Sequence, residues 1–456
     1  VASIAVVGAG LAGLAAAWTL ERAGADVVLY EASGRVGGVV RTERVDGFLA
    51  ELGPTSMSPP SGPASALLDE AGLGSELVTA APTARRRYIV HRGRLVALPL
   101  SPPALMASPL LSFTTKLRVL AEPFARGAPL EEETVAAFAR RRLGRQAGAF
   151  AELATTGIFA GDPSRLSARY ALPRLTAMEA QDGSLLRGLR ARHRHGTTPR
   201  TISAPRHGMA TIAERLAAGV ARLRCDRAVT GIRRDGRGWT VELRTAGGRE
   251  QAQHDALLLA VPAHAYAVIA WPDELWSLGA LAEIAHAPVA VLALGFRCED
   301  VGHPLDGFGV LAPAAEGLGV LGIIFSSSLF PDRAPDGHVL VTVLAGGVRQ
   351  PELAALDADA LEARVRNDVA RLLDVRGAPV FRRGARWPHA IPQPEVGHGR
   401  YLALADDAER AVPTIALAGS WRDGVAVGDA LASGIAAAHR LSDRLTTSIA
   451  PAGATA

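Results

Sequence analysis

The sequence predicts an α/β protein whose N-terminal unit is a Rossmann-like dinucleotide-binding βαβ fold. Three observations predict it. Ser3–Val7 is a short apolar, β-branched run, and Gly8-Ala9-Gly10-Leu11-Ala12-Gly13 follows it directly. A helix-forming run over residues 14–23 comes next. A second strand over 27–30 then ends at Glu31. Gly8 allows the tight turn, Gly10 lets the backbone approach a pyrophosphate, and Gly13 permits close packing of helix on strand. The helix N-terminus, with the main-chain N–H groups around Ala9, Leu11 and Ala12, favours negative charge. Glu31 stands about 20 residues beyond the glycines, where a carboxylate accepts the ribose hydroxyls.

The composition bounds the rest. A chain of 456 residues, 48% apolar and 21% charged, has room for two or three domains and a large core. A peptide hormone, a disulfide mini-domain and a disordered chain are excluded. The formal charge is only +4, with bases and acids interspersed, so nucleic acid is not an expected partner. Lys116 is the one lysine, which closes any mechanism needing a lysine elsewhere. Cys225 and Cys298 form no CxxC and no metal-ligand spacing, so no metal site is expected, and they suit a reducing compartment.

Further along, Ala32-Ser33-Gly34-Arg35-Val36-Gly37-Gly38 puts an arginine and a glycine pair after the acidic strand end, where a nicotinamide-only enzyme enters its next helix. Residues 1–20 and 96–115 carry no charged side chain. The first is strand–turn–helix with no basic segment before it, so it is not read as a signal peptide. The second holds Pro99, Pro102, Pro103 and Pro109, too many for one spanning helix, and with Leu110, Leu111 and Phe113 it suits contact with a membrane surface. Residues 224–232 read as strand and turn, with Val229 near an adenine, and 255–262 as a buried strand. Residues 414–418 form a strand before Gly419-Ser420. DGVAVGDALASG (423–434) opens a helix to Arg440, with Val425, Ala426 and Val427 at its start. Asp406 and Asp407 read as a solvated loop.

The segment 32–38 resembles the FAD signature of the flavin amine oxidase superfamily. FLAELGPTS (48–56) resembles its next segment, whose Gly53, Pro54, Thr55 and Ser56 run beside the flavin. RRRYIVHRGRLVALP (85–99), AAFARRRLGRQ (136–146), GIFAGDPSRLS (157–167) and DGSLLRG (182–188) resemble the protoporphyrinogen oxidase family. So do DGFGVL (306–311), GGVRQP (346–351) and WPHAIPQPEVGH (387–398). These motifs run in the family's order across nearly the whole chain. The resemblance implies a Rossmann-like FAD-binding domain (1–80, 205–265 and 395–450) and a mixed-sheet substrate domain (81–100 and 266–394). It also implies a helical, membrane-facing domain (101–204). The implied cofactor is non-covalent FAD, and the partners are a porphyrinogen and O2. The implied location is cytoplasmic, peripheral on the cytoplasmic membrane, and the sequence leaves a homodimer open.

By the same resemblance, Arg87 pairs with a substrate propionate, a task that suits the guanidinium fork. Phe308, Leu311, Ile324 and Leu344 line a flat apolar pocket, Gly157 brings backbone to the ring, and Trp387 packs by the flavin. No side chain is assigned a catalytic role, because hydride transfer from a ring carbon to flavin N5 needs positioning rather than a strong base. The chain departs from the family at Pro394 (usually tyrosine), His207 (glycine), Ser420 (asparagine) and Ala430-Leu431 (cysteine-isoleucine). Three alternatives stand beside this reading. An amine oxidase of the superfamily often has a lysine near flavin N5, and the matching strand, residues 288–292, has none. Coproporphyrinogen oxidation requires more cations to hold four carboxylates. A non-catalytic flavoprotein or porphyrin carrier is the third.

Overall fold

The computed structural model describes residues 2–99, 104, 107–125, 127, 131–144, 148–194, 201–236 and 238–449. The uncharged stretch 96–115 and the motif 136–146 therefore lie partly outside the described residues. In chain order, the elements that place the site are β1 (Ser3–Val7), α1 (Leu11–Arg22), β2 (Asp26–Tyr30), β3 (Phe48–Glu51), α2 (Phe113–Leu120) and α3 (Gly148–Phe159). They continue with β4 (Ala256–Leu259), β5 (His286–Arg297), β6 (Gly309–Leu311), β7 (Gly322–Ile324), β8 (His338–Gly346), α4 (Ala358–Leu373), β9 (Phe381–Pro392), β10 (Ile415–Leu417) and α5 (Val427–Ile449).

The first sheet has five parallel strands in the order β10, β4, β1, β2 and Leu223–Arg224. All residues from Ile4 to Val7 and Leu257 to Leu259 are buried, as expected of strands covered on both faces. The helix α1 begins at Leu11, three residues earlier than the sequence reading placed it. Gly10 takes the extended N-cap conformation, so the helix starts inside the glycine motif. The C-terminal helix α5 lies across α1 and runs past Arg440 to Ile449.

The second sheet has seven strands in the order β9, β5, β8, β7, β6, Tyr88–His91 and Arg94–Ala97, mixed in direction. Its two faces differ. Val310, Ile323, Val343 and Leu292 fall on one face and are fully buried with α4 in the same core. Cross-strand pairing places Leu311, Gly322, Leu344 and Val291 in one row of the other face, and Trp387, Val289 and Gly346 in another. There Leu311, Ile324, Leu344 and Trp387 are only half-buried.

A helical unit fills the chain between residues 113 and 194. Its interior is ionic as well as apolar: Arg142 and Glu122 pair while both are fully buried. The carboxylate of Glu122 also accepts from Ser184 Oγ (2.5 Å) and the N–H groups of Leu185 (2.9 Å) and Leu186 (3.1 Å), capping the helix Leu185–Arg194. Burial raises the Glu122 carboxyl, but these hydrogen bonds outweigh it and hold it below the usual range. No helix among the described residues is long and apolar enough to cross a membrane. Asp406 and Asp407 lie on the helix Gly399–Ala411, not in a loop. Each is exposed and pairs with an arginine, Arg422 and Arg410 respectively, both at 2.5 Å.

Candidate active site

The glycine turn is shaped by contacts that exclude side chains. Gly8 has φ +99°, and a Cβ on Gly13 would stand 1.8 Å from the Gly8 carbonyl oxygen. A Cβ on Gly10 would meet nothing within 4 Å, so the surface there is open to a ligand's approach. No side chain caps the α1 N-terminus and no acid lies in its first turn. The amides of Leu11, Ala12 and Gly13 thus suit the diphosphate of a dinucleotide. Glu31, at the end of β2, accepts from the N–H of Ala9 (2.8 Å) and from Ser33 N–H (2.9 Å) and Oγ (2.7 Å). Its carboxylate therefore also ties the turn to the next loop, beside the exposed Ala32.

That loop folds back on the turn. Gly37 N–H donates to the Ala9 carbonyl (2.8 Å), and Gly37 and Gly38 both have positive φ. The Arg35 guanidinium wraps the loop, donating to the carbonyls of Val36 (3.2 Å), Val40 (3.1 Å) and Gly38 (2.5 Å), and lies 5.5 Å from the Trp387 ring. A Cβ on Gly53 would lie 1.9 Å from the Val39 carbonyl oxygen, which places Gly53, Pro54, Thr55 and Ser56 beside the same loop. The Trp387 indole donates to the Leu52 carbonyl (2.6 Å), joining the seven-stranded sheet to this segment.

The far end of the chain closes on the same place. Gly419, with φ +142°, donates to Ser433 Oγ (2.9 Å), and Ser420 opens a short helix. Val425, Ala426 and Val427 lead into α5, where Ala426 N–H donates to Asp429 (3.3 Å). A Cβ on Gly434 would stand 1.9 Å from the Ala12 carbonyl oxygen, so α5 presses directly on the first turn of α1. Val229 is buried beside Val28 and Tyr30, next to the strand that carries Glu31.

On the half-buried face of the second sheet, Gly157 of α3 faces Leu311, with 3.6 Å from a built Cβ to the leucine methyls. Ile324 and Phe308 pack against the core of the nucleotide-binding unit, and Leu344 lies beside Trp387 and Val289. Arg87 lies over the Phe308 ring at 4.9 Å. Arg87 is exposed; its guanidinium makes no ion pair or hydrogen bond among the described residues, and partial desolvation lowers its pKa. Its neighbour Arg86 is taken by Asp306, which also accepts from Tyr88 (2.6 Å).

Two departures find a physical reason. Gly208 has φ +103° and its Cβ position is blocked by Thr42 at 2.3 Å, whereas His207 is exposed and needs no special backbone. The carbonyl of Pro394 accepts from Ser167 (2.8 Å), a main-chain task any residue performs. The sequence reading missed Gln393, which is buried and donates to the Phe159 (2.9 Å) and Ile391 (3.0 Å) carbonyls, binding α3 to β9. It also missed Glu51, whose carboxyl burial pushes up to about 7 despite hydrogen bonds from Thr42 (2.6 Å) and Met209 (2.9 Å). An acid closing the apolar run FLAE was the available signal.

A family model described as flavin containing amine oxidoreductase matches residues 11–442. Protoporphyrinogen oxidase 2, chloroplastic/mitochondrial, of Arabidopsis thaliana is 32% identical, with 95% of this chain and 92% of that protein covered. Protoporphyrinogen oxidase of Homo sapiens is 33% identical over 96% of this chain and 97% of its own length. Among solved structures, one from Exiguobacterium sp. 255-15, provisionally assigned as a protoporphyrinogen oxidase, superposes with a TM-score of 0.83 at 24% identity. It covers 98% of this chain and 99% of its own. Putrescine oxidase bound to putrescine gives 0.70 at 19%, covering 98% of this chain and 99% of its own. At these identities the two structures establish the fold.

Proposed function

We propose a function from one premise: the chain belongs to the protoporphyrinogen oxidase family, within the flavin containing amine oxidoreductases. The reaction is the FAD-dependent oxidation of protoporphyrinogen IX to protoporphyrin IX, with O2 as acceptor. The observation that carries it within the fold is Arg87, a guanidinium with no acceptor among the described residues, set over Phe308 at the edge of a half-buried apolar sheet face. A flat apolar ring with acid tails matches such a face.

FAD would be held by the α1 amides and Gly8–Gly13 turn at its diphosphate, by Glu31 at its ribose, and by Val229 at its adenine. The segments 37–38 and 53–56, Trp387, Ser420 and the start of α5 (Val425, Ala426 and Val427) would flank the ring. When bound, the flavin supplies a hydride acceptor at N5 and passes the electrons to O2. The binding is non-covalent: Cys225 lies by Glu31 at the ribose end and Cys298 beyond the end of β5. The protein's part is positioning. Arg87 fixes a propionate, while Leu311, Ile324, Leu344 and Gly157 hold the ring plane and exclude water. The proposed division assigns 1–80, 205–265 and 395–450 to FAD, 81–100 and 266–394 to substrate, and 101–204 to the helical domain.

That helical domain is proposed to rest on the cytoplasmic membrane. Phe113, Leu117, Leu120 and Phe124 are exposed at helix-like spacing along and just beyond α2, with Phe113 at 69% and Phe124 at 86%. Of the stretch the sequence suggested, Leu111 is buried while Phe113 is exposed, and the face continues from Phe113 beyond residue 115. Flotation with anionic vesicles tests this: protein that stays in the soluble fraction contradicts it.

The reaction is tested by porphyrin fluorescence and oxygen uptake with protoporphyrinogen and coproporphyrinogen supplied separately. Faster oxidation of protoporphyrinogen is expected. A clear preference for the tetracarboxylate, or oxidation of a primary amine alone, overturns the assignment. Arg87→Ala should raise KM more than it lowers kcat, with kcat/KM falling about ten- to a hundred-fold and FAD content unchanged.

A further inference from the structure

Three histidines that are distant in sequence meet at the junction of the two sheets. His264 lies in the 3₁₀ turn Ala263–Val268, just beyond β4 of the nucleotide-binding unit. His286 opens β5, and His389 sits on β9 two residues past Trp387. Each ring offers a nitrogen within 4.8 Å of one on each of the others. The His264 and His389 rings stack at 4.2 Å, and His286 stands edge-on to both, at 5.3 and 5.9 Å.

One hydrogen bond and one unmet ring nitrogen bear on what these rings can bind. His286 Nδ1 lies 2.8 Å from the Ile284 carbonyl. A carbonyl can only accept, so Nδ1 carries the proton and Nε2 keeps its lone pair. Donation of one ring N–H to a backbone carbonyl is the usual second contact of a metal-bound imidazole. His264 Nδ1 is buried with no hydrogen-bond partner among the described residues, an omission that costs free energy unless something else meets it. His389 is exposed, its ring held by the stack on His264.

We propose that His264, His286 and His389 form a binding site for a borderline divalent cation, zinc being the representative, with a fourth position open to water. Three imidazoles with one open position are an established zinc donor set. At the usual Zn–N distance of about 2.0–2.1 Å, tetrahedral nitrogens stand about 3.4 Å apart. The cluster therefore has to contract by at most roughly 1.4 Å, by reorientation of its rings. Spacing rules could not find this site, because its ligands come from three separate segments. Bound there, the ion would pin the exit of β4 to the substrate sheet close to Trp387.

The test is calorimetric titration of ZnCl2 into tag-free, FAD-loaded protein cleared of metal with a chelator. One ion per chain with a dissociation constant in the micromolar range or tighter is expected. His389→Ala and His389→Asn, both at an exposed position, should weaken it at least tenfold with the flavin spectrum unchanged. His264→Ala should do the same where it folds. Absence of binding, binding unaffected in both His389 variants, or binding lost instead in Cys225→Ser or Cys298→Ser overturns the proposal.

Discussion

Gly434→Ala isolates the packing that sets the cofactor turn. The added Cβ would stand 1.9 Å from the Ala12 carbonyl oxygen, 2.8 Å from its carbon and 3.1 Å from its Cα. Ordinary contact begins near 3.4 Å, so α1 and α5 must part by about 1.5 Å. The obstacle is backbone in the first turn of a helix, and it cannot swing aside as a side chain would. Overpacking of this kind costs about 1–3 kcal/mol. Ala12 belongs to the turn whose amides are proposed to hold the FAD diphosphate, so the cost should appear in FAD affinity. At about 2 kcal/mol the dissociation constant rises roughly thirty-fold. Titration of apoprotein followed by FAD fluorescence quenching measures it, with the melting temperature recorded alongside. Gly428→Ala, on the same helix, is the control, since its Cβ would meet Pro60 at an ordinary 3.5 Å. If Gly434→Ala binds FAD and melts like the parent, the helix crossing does not shape the turn and the reasoning fails.

Arg142→Ala leaves the buried Glu122 carboxylate without its cation and should destabilise the helical unit by about 3–5 kcal/mol, read as early proteolysis within residues 113–194 while FAD stays bound. Equal resistance to protease would refute it. Glu51 titrates near 7 folded against 4.5 unfolded, so the folded state binds the extra proton between those values. Its stabilising contribution is complete below about 4.5 and is lost as pH rises through about 7, by an amount on the order of 3 kcal/mol. Glu51→Gln should flatten that fall in melting temperature between pH 5 and 8, and parallel curves for the two proteins count against it. Trp387→Phe deprives the Leu52 carbonyl of its donor and should lower the denaturant midpoint by the equivalent of about 1 kcal/mol. An unchanged midpoint would mean that this bond contributes nothing.

What could be read from the sequence was local. Gly8, Gly10 and Gly13 are legible because each answers a requirement within a few residues: a positive φ, an open approach, a carbonyl at 1.8 Å. The strands of the first sheet are legible because burial on both faces leaves them uniformly apolar. Boundaries were less so, since Gly10 could be seen as part of a turn but not as the N-cap that starts α1 at Leu11. The rest depends on partners far away in the chain. Glu31 could be assigned to a ribose, but not to the Ala9 N–H that it also holds. Arg141 and Arg142 stand in the motif AAFARRRLGRQ, which names none of their partners: they are ion-paired with Glu122, Glu133 and Glu179 inside the helical unit. Asp406 and Asp407 look like a loop because charge periodicity on an exposed helix is weak evidence either way.

The seven-stranded sheet shows how strand parity becomes substrate chemistry. A period of two sends Val310, Ile323 and Val343 to one face and Leu311, Ile324 and Leu344 to the other. The first set is sealed beneath α4, while the second is left half-covered between the nucleotide-binding unit and α3. Cross-strand register then carries the same open face to Trp387, whose indole is fixed to the Leu52 carbonyl beside the flavin segment. A ligand on that face meets aliphatic side chains over a broad flat area and, at its edge, the Arg87 cation, unpaired among the described residues. An alkylamine would bring a positive charge toward that cation. A porphyrinogen brings a hydrophobic macrocycle and a carboxylate, and both complement the open face of this sheet and its edge.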